Sequence, residues 1–552
     1  MTQDMLEFDY LVLGGGSAGS VVASRLSERP DVTVALVEAG NKGAGWVVNT
    51  PIAGALMVPS RLNNWAFKTV PQKGLNGRIG YQPRGRALGG SSAVNAMVYV
   101  RGHRWDYDHW AELGCKGWAF DDVLPYFLKA ETNERGASQW HGADGPLHVS
   151  NSRTGNPWHA IFLEAAREAQ FRMNEDFNGP EQEGFGVYQV TQKNGERWSA
   201  ARGYLHPFLG KRANLCVETG AQVTRILFEG RRAIGAEFRQ GGVIRHLRAR
   251  REVILCAGAL QSPHVLMLSG VGDAPALQKM GIAPVLNLPA VGKNLQDHPD
   301  FIFGYEAKSL DLVGLSMKGF ARFFNEIRRY RRERQGMLAS NFAEAGGFLK
   351  TRSDLPAPDI QVHFVVAMVD DHARRLRWGH GFSAHLCLLR PKSRGSVALA
   401  APDPFTAPLI DPNFLDHPDD VEDMVAGFKQ TRRIMDAPAL ASLRGRDLFT
   451  ANIRTDEEIR SVLRERVDTV YHPAGTCRMG TGTDAVVTPD LKVVGMEGLR
   501  VADVSIMPTL ISGNTNAPAV MIGEKAADLI ARTARSADHA PVLMASSKRE
   551  TT

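Results

Sequence analysis

Apolar positions near the start of the chain change period twice within thirty residues. Tyr10 to Leu13 form an unbroken apolar run, Ala18, Val21, Val22 and Leu26 recur at helical spacing, and Val32 to Val37 return to a strand pattern. Strand, helix and strand in so short a span make a βαβ unit and predict an α/β fold. Residues 214 to 240 alternate as a β-meander does, and Val253 to Cys256 is a short apolar strand running into Gly258. Residues 496 to 505 read strand to turn, and Ala517 to Ile530 reads as a closing helix with Pro518 in its first turn. The intervening stretches differ in character, being rich in Phe, Pro, Arg and polar residues. This predicts a discontinuous first domain, 1-160, 211-300 and 465-535, with a second α+β domain inserted as 161-210 and 301-464. Residues 536-552 show no periodicity, and a disordered tail is expected there. The sequence contains no internal repeat.

The first turn reads Gly14-Gly15-Gly16-Ser17-Ala18-Gly19, a GxGxxG pattern on Gly14, Gly16 and Gly19. Gly14 permits the tight turn, Gly16 lets backbone amides approach a pyrophosphate at the positive helix end, and Gly19 allows close packing of helix on strand. Alone such a pattern is weak, because many glycine turns are only turns. Here Glu38 ends the second strand nineteen residues past Gly19, where a carboxylate can accept hydrogen bonds from an adenosine ribose. The unit predicts a dinucleotide site that includes Ser17, Ala18 and Ala39, and leaves NAD and FAD open.

At 552 residues and 43% hydrophobic, the chain is too large for one small core, which agrees with two domains. No run approaches the roughly 18 to 20 apolar residues of a membrane span. Asp4 and Glu7 stand where a signal peptide would be basic, so a cytoplasmic protein is expected. Cys115, Cys216, Cys256, Cys387 and Cys477 show neither CxxC spacing nor His partners, so no disulfide framework and no metal site are expected. A net charge of +6 over this length is no ground for a nucleic-acid partner.

Further segments choose the cofactor. Residues 84 to 102, Arg84-Gly85-Arg86-Ala87-Leu88-Gly89-Gly90-Ser91-Ser92-Ala93-Val94-Asn95-Ala96-Met97-Val98-Tyr99-Val100-Arg101-Gly102, resemble the first signature of the glucose-methanol-choline (GMC) oxidoreductase family. Gly258 to Pro263 with Ser269 to Gly272 resembles its second, and Val291 to His298 and Tyr471 to Gly480 complete the family's order. The resemblance runs from Phe8 to about Ile530 and implies a GMC fold, a Rossmann-like FAD-binding domain with an inserted α+β substrate domain. FAD follows from the resemblance. So does a loop of Gly85, Leu88, Gly89, Gly90 and Ser91 close over the flavin and pyrophosphate, with Asn95, Ala96, Met97 and Val98 at the isoalloxazine edge. Trp65, Ala257, Tyr471, Thr515, Asn516 and Ala517 also fall in the implied cofactor-binding segments. The position where some members carry a histidine joined covalently to flavin looks like Val94, so non-covalent FAD is expected. Val223 would contact adenine, or be an ordinary core valine, and Asp503 would face the ribityl chain or pyrophosphate.

The same resemblance makes His472 the base that takes the hydroxyl proton as hydride leaves the alcohol carbon for flavin N5. Histidine suits the role because its unperturbed pKa lies near the working pH, and Pro473 disfavours helical geometry at His472. Asn514 aligns with the family's second active-site residue, where a neutral amide can hold the substrate oxygen but cannot be the base. Asn514 and Asn516 have helix capping as their other reading. His363, on the apolar strand Ile360 to Val366, is a third pocket candidate or a buried structural histidine. The expected reaction is oxidation of a primary alcohol to an aldehyde, with electrons passed to a quinone or other acceptor.

Within the family, Asn64-Trp65, Gln189 to Arg197 and Asn514 to Pro518 are most similar to the bacterial aliphatic-alcohol and polyethylene glycol dehydrogenase branch. The choline dehydrogenase branch is next, with Glu344 available to supply one charge for a quaternary ammonium. An oxidase that discharges electrons to oxygen is the other alternative. Most of the net charge sits in one segment: residues 318 to 334 hold seven basic and two acidic side chains. Phe320, Phe323, Phe324 and Ile327 recur there at helical spacing, setting an aromatic stripe against an arginine-rich face. The stripe is expected either to pack on the substrate domain or to make a peripheral contact with the inner face of the cytoplasmic membrane.

Overall fold

β1 (Leu6–Leu13), α1 (Ser17–Leu26) and β2 (Val34–Glu38) form the βαβ unit that the opening periodicity predicts, in a computed structural model describing residues 6 to 538. The last five residues of β1 and all of β2 are buried, as strands covered on both faces must be. β3 (Leu215–Thr219) pairs parallel with β2, and Gly220, at φ +65°, then turns the chain into β4 (Ala221–Glu229) and β5 (Arg232–Gln240). The expected meander over 214 to 240 therefore divides, because the free edge of β2 takes its first strand.

β6 (Val243–Leu255) is longer than the four apolar residues seen in the sequence. Its first half pairs antiparallel with β5, where Arg245, His246 and Arg248 break the apolar pattern. Its second half lies parallel between β1 and β7 (Leu499–Val501), and α2 (Gly258–Leu268) follows it. The sheet order is β3-β2-β1-β6-β5-β4, with β7 added on β6. The C-terminal ends of β1, β2 and β6 open on one side, which is where open α/β sheets bind ligands. α3 (Asn516–Asp538) closes the domain against α1, and a Cβ at Gly523 would stand 2.8 Å from the Ala18 carbonyl oxygen. A part-buried ion pair joins the two helices, Arg25 Nη2 to Glu524 at 2.8 Å. α3 runs beyond the expected end at Ile530, through Asp538. The rest of the tail expected to be disordered lies outside the described residues.

The second core lies under an antiparallel sheet in the spatial order Arg444–Asp447, Pro299–Ala307, Gly381–Leu388, Ile360–Val365, Ala343–Leu349, Gly184–Val187. Helices Trp158–Glu168 and Pro418–Met435 cover one face: Phe162 stacks on Phe364 at 4.5 Å and Phe428 lies 4.6 Å from Phe303. Residues 161-210 do not all belong to this core. Ala200, Ala201, Tyr204 and Leu205 pack in the dinucleotide-domain core, and Tyr204 donates to Glu524 at 2.7 Å. On Ile360–Val365 the side chains of Ile360, Val362 and Phe364 enter the second core. Strand alternation then turns Gln361 and His363 to the opposite face, toward the first domain.

Candidate active site

One cavity of about 1380 Å³ runs from the ends of β1 and β2, where Gly14, Gly16, Ser17, Ala18, Glu38 and Ala39 line it, to His363, Tyr471, His472 and Asn514. Gly85, Gly90, Ser91, Asn95, Ala96, Met97 and Val98 line its middle, as do Trp65, Val223, Ala257, Asp503, Thr515 and Asn516. Gly19, Leu88, Gly89 and Ala517 lie behind this lining. A Cβ on Gly19 would stand 1.9 Å from the Gly14 carbonyl oxygen and 3.1 Å from the Cys256 Cβ, so Gly19 is required by the turn and its neighbour. Leu88 and Ala517 are core side chains, and Gly89 has φ +91° beneath the loop.

Three features fit a pyrophosphate-linked dinucleotide. No side chain caps α1, so the amides of its first turn remain free for an anion. Gly16 has no neighbour within 3.8 Å of where a Cβ would be, its nearest being the Cys256 oxygen at 3.9 Å. The Gln261 Oε1, buried at the cavity wall, has no partner within the protein. Glu38 accepts from the Gly15 N–H at 2.9 Å and the Gly40 N–H at 2.7 Å, which leaves further lone pairs for hydroxyl donors. Burial pushes its carboxyl up to about 7 against these two donors. Asp503 accepts from Gly258 N–H, Ser262 hydroxyl and Ser505 N–H, tying α2 to the segment after β7. The Asn516 Oδ1 accepts from the Ser17 hydroxyl at 2.8 Å, joining the starts of α1 and α3.

The loop over the middle of the cavity is held from behind by a charge. Arg197, fully buried, donates to the carbonyls of Val48, Ser92 and Asn95 and to Asn95 Oδ1. Burial without a carboxylate lowers its pKa to about 9. The Asn95 Oδ1 also accepts from the Met97 N–H at 3.1 Å, which supports the left-handed backbone at Met97, φ +57°. Val94 is buried in a small apolar cluster and also meets the cavity wall.

At the other end, Tyr471 holds a left-handed backbone, φ +76°, immediately before His472. That unfavourable conformation is fixed by three bonds: Arg84 to the Tyr471 carbonyl at 2.8 Å, the Tyr471 hydroxyl to His372 at 2.7 Å, and the His472 N–H to Asp297 at 2.8 Å. Asp297 is buried and its pKa raised to about 6 by desolvation, and it also accepts from the Thr469 hydroxyl.

The imidazole of His472 has two polar neighbours that fix its proton. Its Nδ1 lies 3.0 Å from Nδ1 of His298, whose Nε2 lies 3.1 Å from the Ile511 carbonyl oxygen. A carbonyl only accepts, so His298 carries its proton on Nε2 and presents a lone pair at Nδ1. His472 must then donate from Nδ1, which leaves the Nε2 lone pair toward Asn514, whose Nδ2 is 3.3 Å away. The Asn514 Oδ1 accepts from Gln361 at 3.1 Å, and this fixes the amide the same way round. Burial first, then His298, His363 and Arg84, keep the His472 pKa well below the usual histidine value, so the ring is neutral and basic at Nε2. His363 stands within hydrogen-bonding reach of Asn514 and meets Cys387 Sγ at 3.5 Å; burial lowers its pKa to about 3.

His298, Asp297, Arg84 and Gln361 carry no role in the sequence reading, although Asp297 and His298 end one of its motif blocks and Arg84 opens another. Pairing across the fold was the missing signal. Burial likewise lowers His298 to about 3 and His264 to about 4. These folded values lie below the unfolded one near 6.5, so the stability they carry is complete above pH 6.5 and is lost as pH falls toward the folded values. Each contributes a slope of about 1.4 kcal/mol per pH unit across that window. The melting temperature is expected to drop steadily from pH 6.5 to pH 4.5, and a flat profile there would refute neutral burial of these rings.

A mixed sheet whose parallel strands end at an uncapped helix, joined by one cavity to a neutral histidine and an amide, fits a dinucleotide-dependent oxidoreductase. The GMC oxidoreductase family model matches residues 8–300 and its C-terminal counterpart matches residues 391–523, so the chain belongs to the GMC oxidoreductase family. It is 45% identical to an alcohol dehydrogenase [acceptor] of Pseudomonas putida over 95% of this chain and 96% of that one. It is 44% identical to the mitochondrial choline dehydrogenase of Homo sapiens, covering 95% and 90%. Among solved structures, pyridoxine 4-oxidase from Mesorbium loti superposes with a TM-score of 0.86 at 31% identity, covering 95% of this chain and 99% of that one. An Aspergillus oryzae formate oxidase gives 0.89 at 27%, covering 97% and 100%. The protein is an FAD-dependent enzyme that acts on CH–OH donors.

Proposed function

We propose that this enzyme oxidises a lipophilic primary alcohol to an aldehyde and passes the electrons to a quinone or similar acceptor. The observation that carries the reading is the His472 Nε2 lone pair beside the Asn514 amide, in a cavity that Leu312, Val313, Val365 and Met368 also line. FAD supplies the hydride acceptor when bound. The chain's own part is to seat the alcohol, with the Asn514 Nδ2 donating to the substrate oxygen and His472 Nε2 receiving the hydroxyl proton. Burial excludes water from this exchange, and His298 holds the receiving tautomer in place.

A choline substrate has in its favour the 44% identical relative named for it. The cavity argues against it. Its only carboxylates among the described residues are Glu38 and Asp503, both at the dinucleotide end. Glu344, the sequence candidate for holding a quaternary ammonium, does not line the cavity. It is buried and engaged by Ser152, Thr154, Ser340 and His159. Anaerobic flavin reduction by a panel from ethanol to long-chain alcohols and choline tests the reading, followed by reoxidation with oxygen or a soluble quinone. Reduction by choline in preference to long-chain alcohols would overturn the substrate assignment, and rapid reoxidation by oxygen would make the enzyme an oxidase. With Val94 at the linkage position, acid denaturation is expected to release intact FAD; flavin retained on the precipitated polypeptide would contradict this.

A further inference from the structure

The helix Met317–Glu333 stands against the protein on a narrow edge. Glu326 and Tyr330 are its buried residues, Tyr330 donating to the Gly195 carbonyl and Glu326 accepting from the Met337 N–H. Of the stripe only Ile327 packs, beside Tyr330, Leu338 and Ala339; Phe320 and Phe323 are exposed, and Met317 and Phe324 are 76% and 67% accessible. A second segment reaches the same place. Leu315 bridges to Trp378 and Gly379, and beside it Leu376 and Trp378 are 77% and 67% accessible. Exposed apolar side chains scattered singly need no explanation, whereas a group of six on two adjoining segments does.

Two further facts give this face a direction. Phe320, Phe323 and Leu376 line the cavity that holds His472, as do the exposed Trp46 and Leu56, so the apolar face surrounds its mouth. The surround is cationic. Lys318, Arg328 and Arg331 are exposed and form no ion pair among the described residues, while beside Leu376 three arginines outnumber the two carboxylates they pair with, Arg374 and Arg375 on Asp371 and Arg377 on Asp370. Large apolar side chains at the centre with lysine and arginine around them complement an anionic bilayer, whose headgroups meet the cations while the acyl boundary takes the aromatics. No helix among the described residues is long and apolar enough to cross a membrane, so such contact would be peripheral.

We propose that this face docks on anionic lipid bilayers and opens the cavity toward the acyl layer, from which a lipophilic alcohol enters. The docking rests on the surface alone; the entry route rests on the substrate reading above. Flotation of the FAD-loaded full chain with phosphatidylcholine vesicles containing about one third phosphatidylglycerol, at low and high salt, separates the two. The parent is expected to float with anionic vesicles at low salt, and to be released by high salt or by pure phosphatidylcholine. Each basic side chain near the surface contributes a factor of about five, so Lys318→Glu with Arg328→Glu should weaken binding at least about 25-fold. Phe324→Ser with Trp378→Ser should weaken it with little change in salt dependence. None of these four residues lines the cavity. Retained flavin absorbance and melting temperature will show that the variants are folded. Absence of flotation by the parent, or equal flotation of all three proteins, overturns the proposal. So does a parent dimer that Phe324→Ser with Trp378→Ser converts to monomer, since a second copy would then cover the face. Flotation without preference for long-chain alcohols leaves the docking standing and removes only the entry route.

Discussion

His472→Ala is expected to slow anaerobic flavin reduction by about a hundred- to ten-thousandfold, the usual span for loss of a positioned general base, while FAD stays bound. Retention of FAD is expected because the glycine turn, Glu38 and the uncapped start of α1 lie at the far end of the cavity from His472. Asn514→Ala should cost less, since it removes a hydrogen bond to the substrate oxygen and leaves the Nε2 lone pair in place. The measurement is single-turnover reduction followed by flavin absorbance. A parental rate in His472→Ala would place the base elsewhere, and His363, which faces Asn514 on the same cavity wall, would be tested next.

The second large effect is expected at His298, which reaches the reaction only through His472. His298→Leu removes the acceptor of the His472 Nδ1 proton and leaves a buried donor unpaired, a loss of about 1 to 3 kcal/mol. The ring can recover part of this by moving its proton to Nε2, which abolishes the base. A reduction rate lowered about ten- to a hundredfold is expected, with the substrate Kd little changed. His298→Asn offers an oxygen to His472 and an amide to the Ile511 carbonyl, so it should restore part of the rate. A merely structural role predicts no such rescue. Equal rates in the Leu and Asn variants would refute the tautomer assignment.

The dinucleotide half was legible in the sequence because its requirements are local. Tight turn, helix start and acidic strand end all fall within the 25 residues from Gly14 to Glu38, a span short enough for spacing to record. The motif blocks at 84 to 102 and 471 to 480 supplied the family by resemblance and made His472 the candidate base. Sequence periodicity also found the helix at 318 to 334, yet it could not say which side the stripe faces, because that depends on what the rest of the chain offers to cover it. Glu344 shows the same limit from the other direction: a carboxylate suited to a cation by type is consumed by Ser152, Thr154, Ser340 and His159, none adjacent to it in sequence.

What the sequence determined by itself was therefore the βαβ unit, the glycine turn and the family, with His472 as a candidate base that the resemblance implies. The tertiary structure alone decided which nitrogen of that histidine is basic. His298 and His472 are separated by 174 positions and Ile511 by a further 39, and only their convergence in the buried interior turns three groups into a directed chain of hydrogen bonds. The same holds for the division of the meander, since β3 joins β2 only because folding leaves that edge open. Local propensity and turn chemistry act over a few residues and can be read along the chain. Proton position, burial and the use of an apolar face depend on contacts between distant segments, which no spacing records.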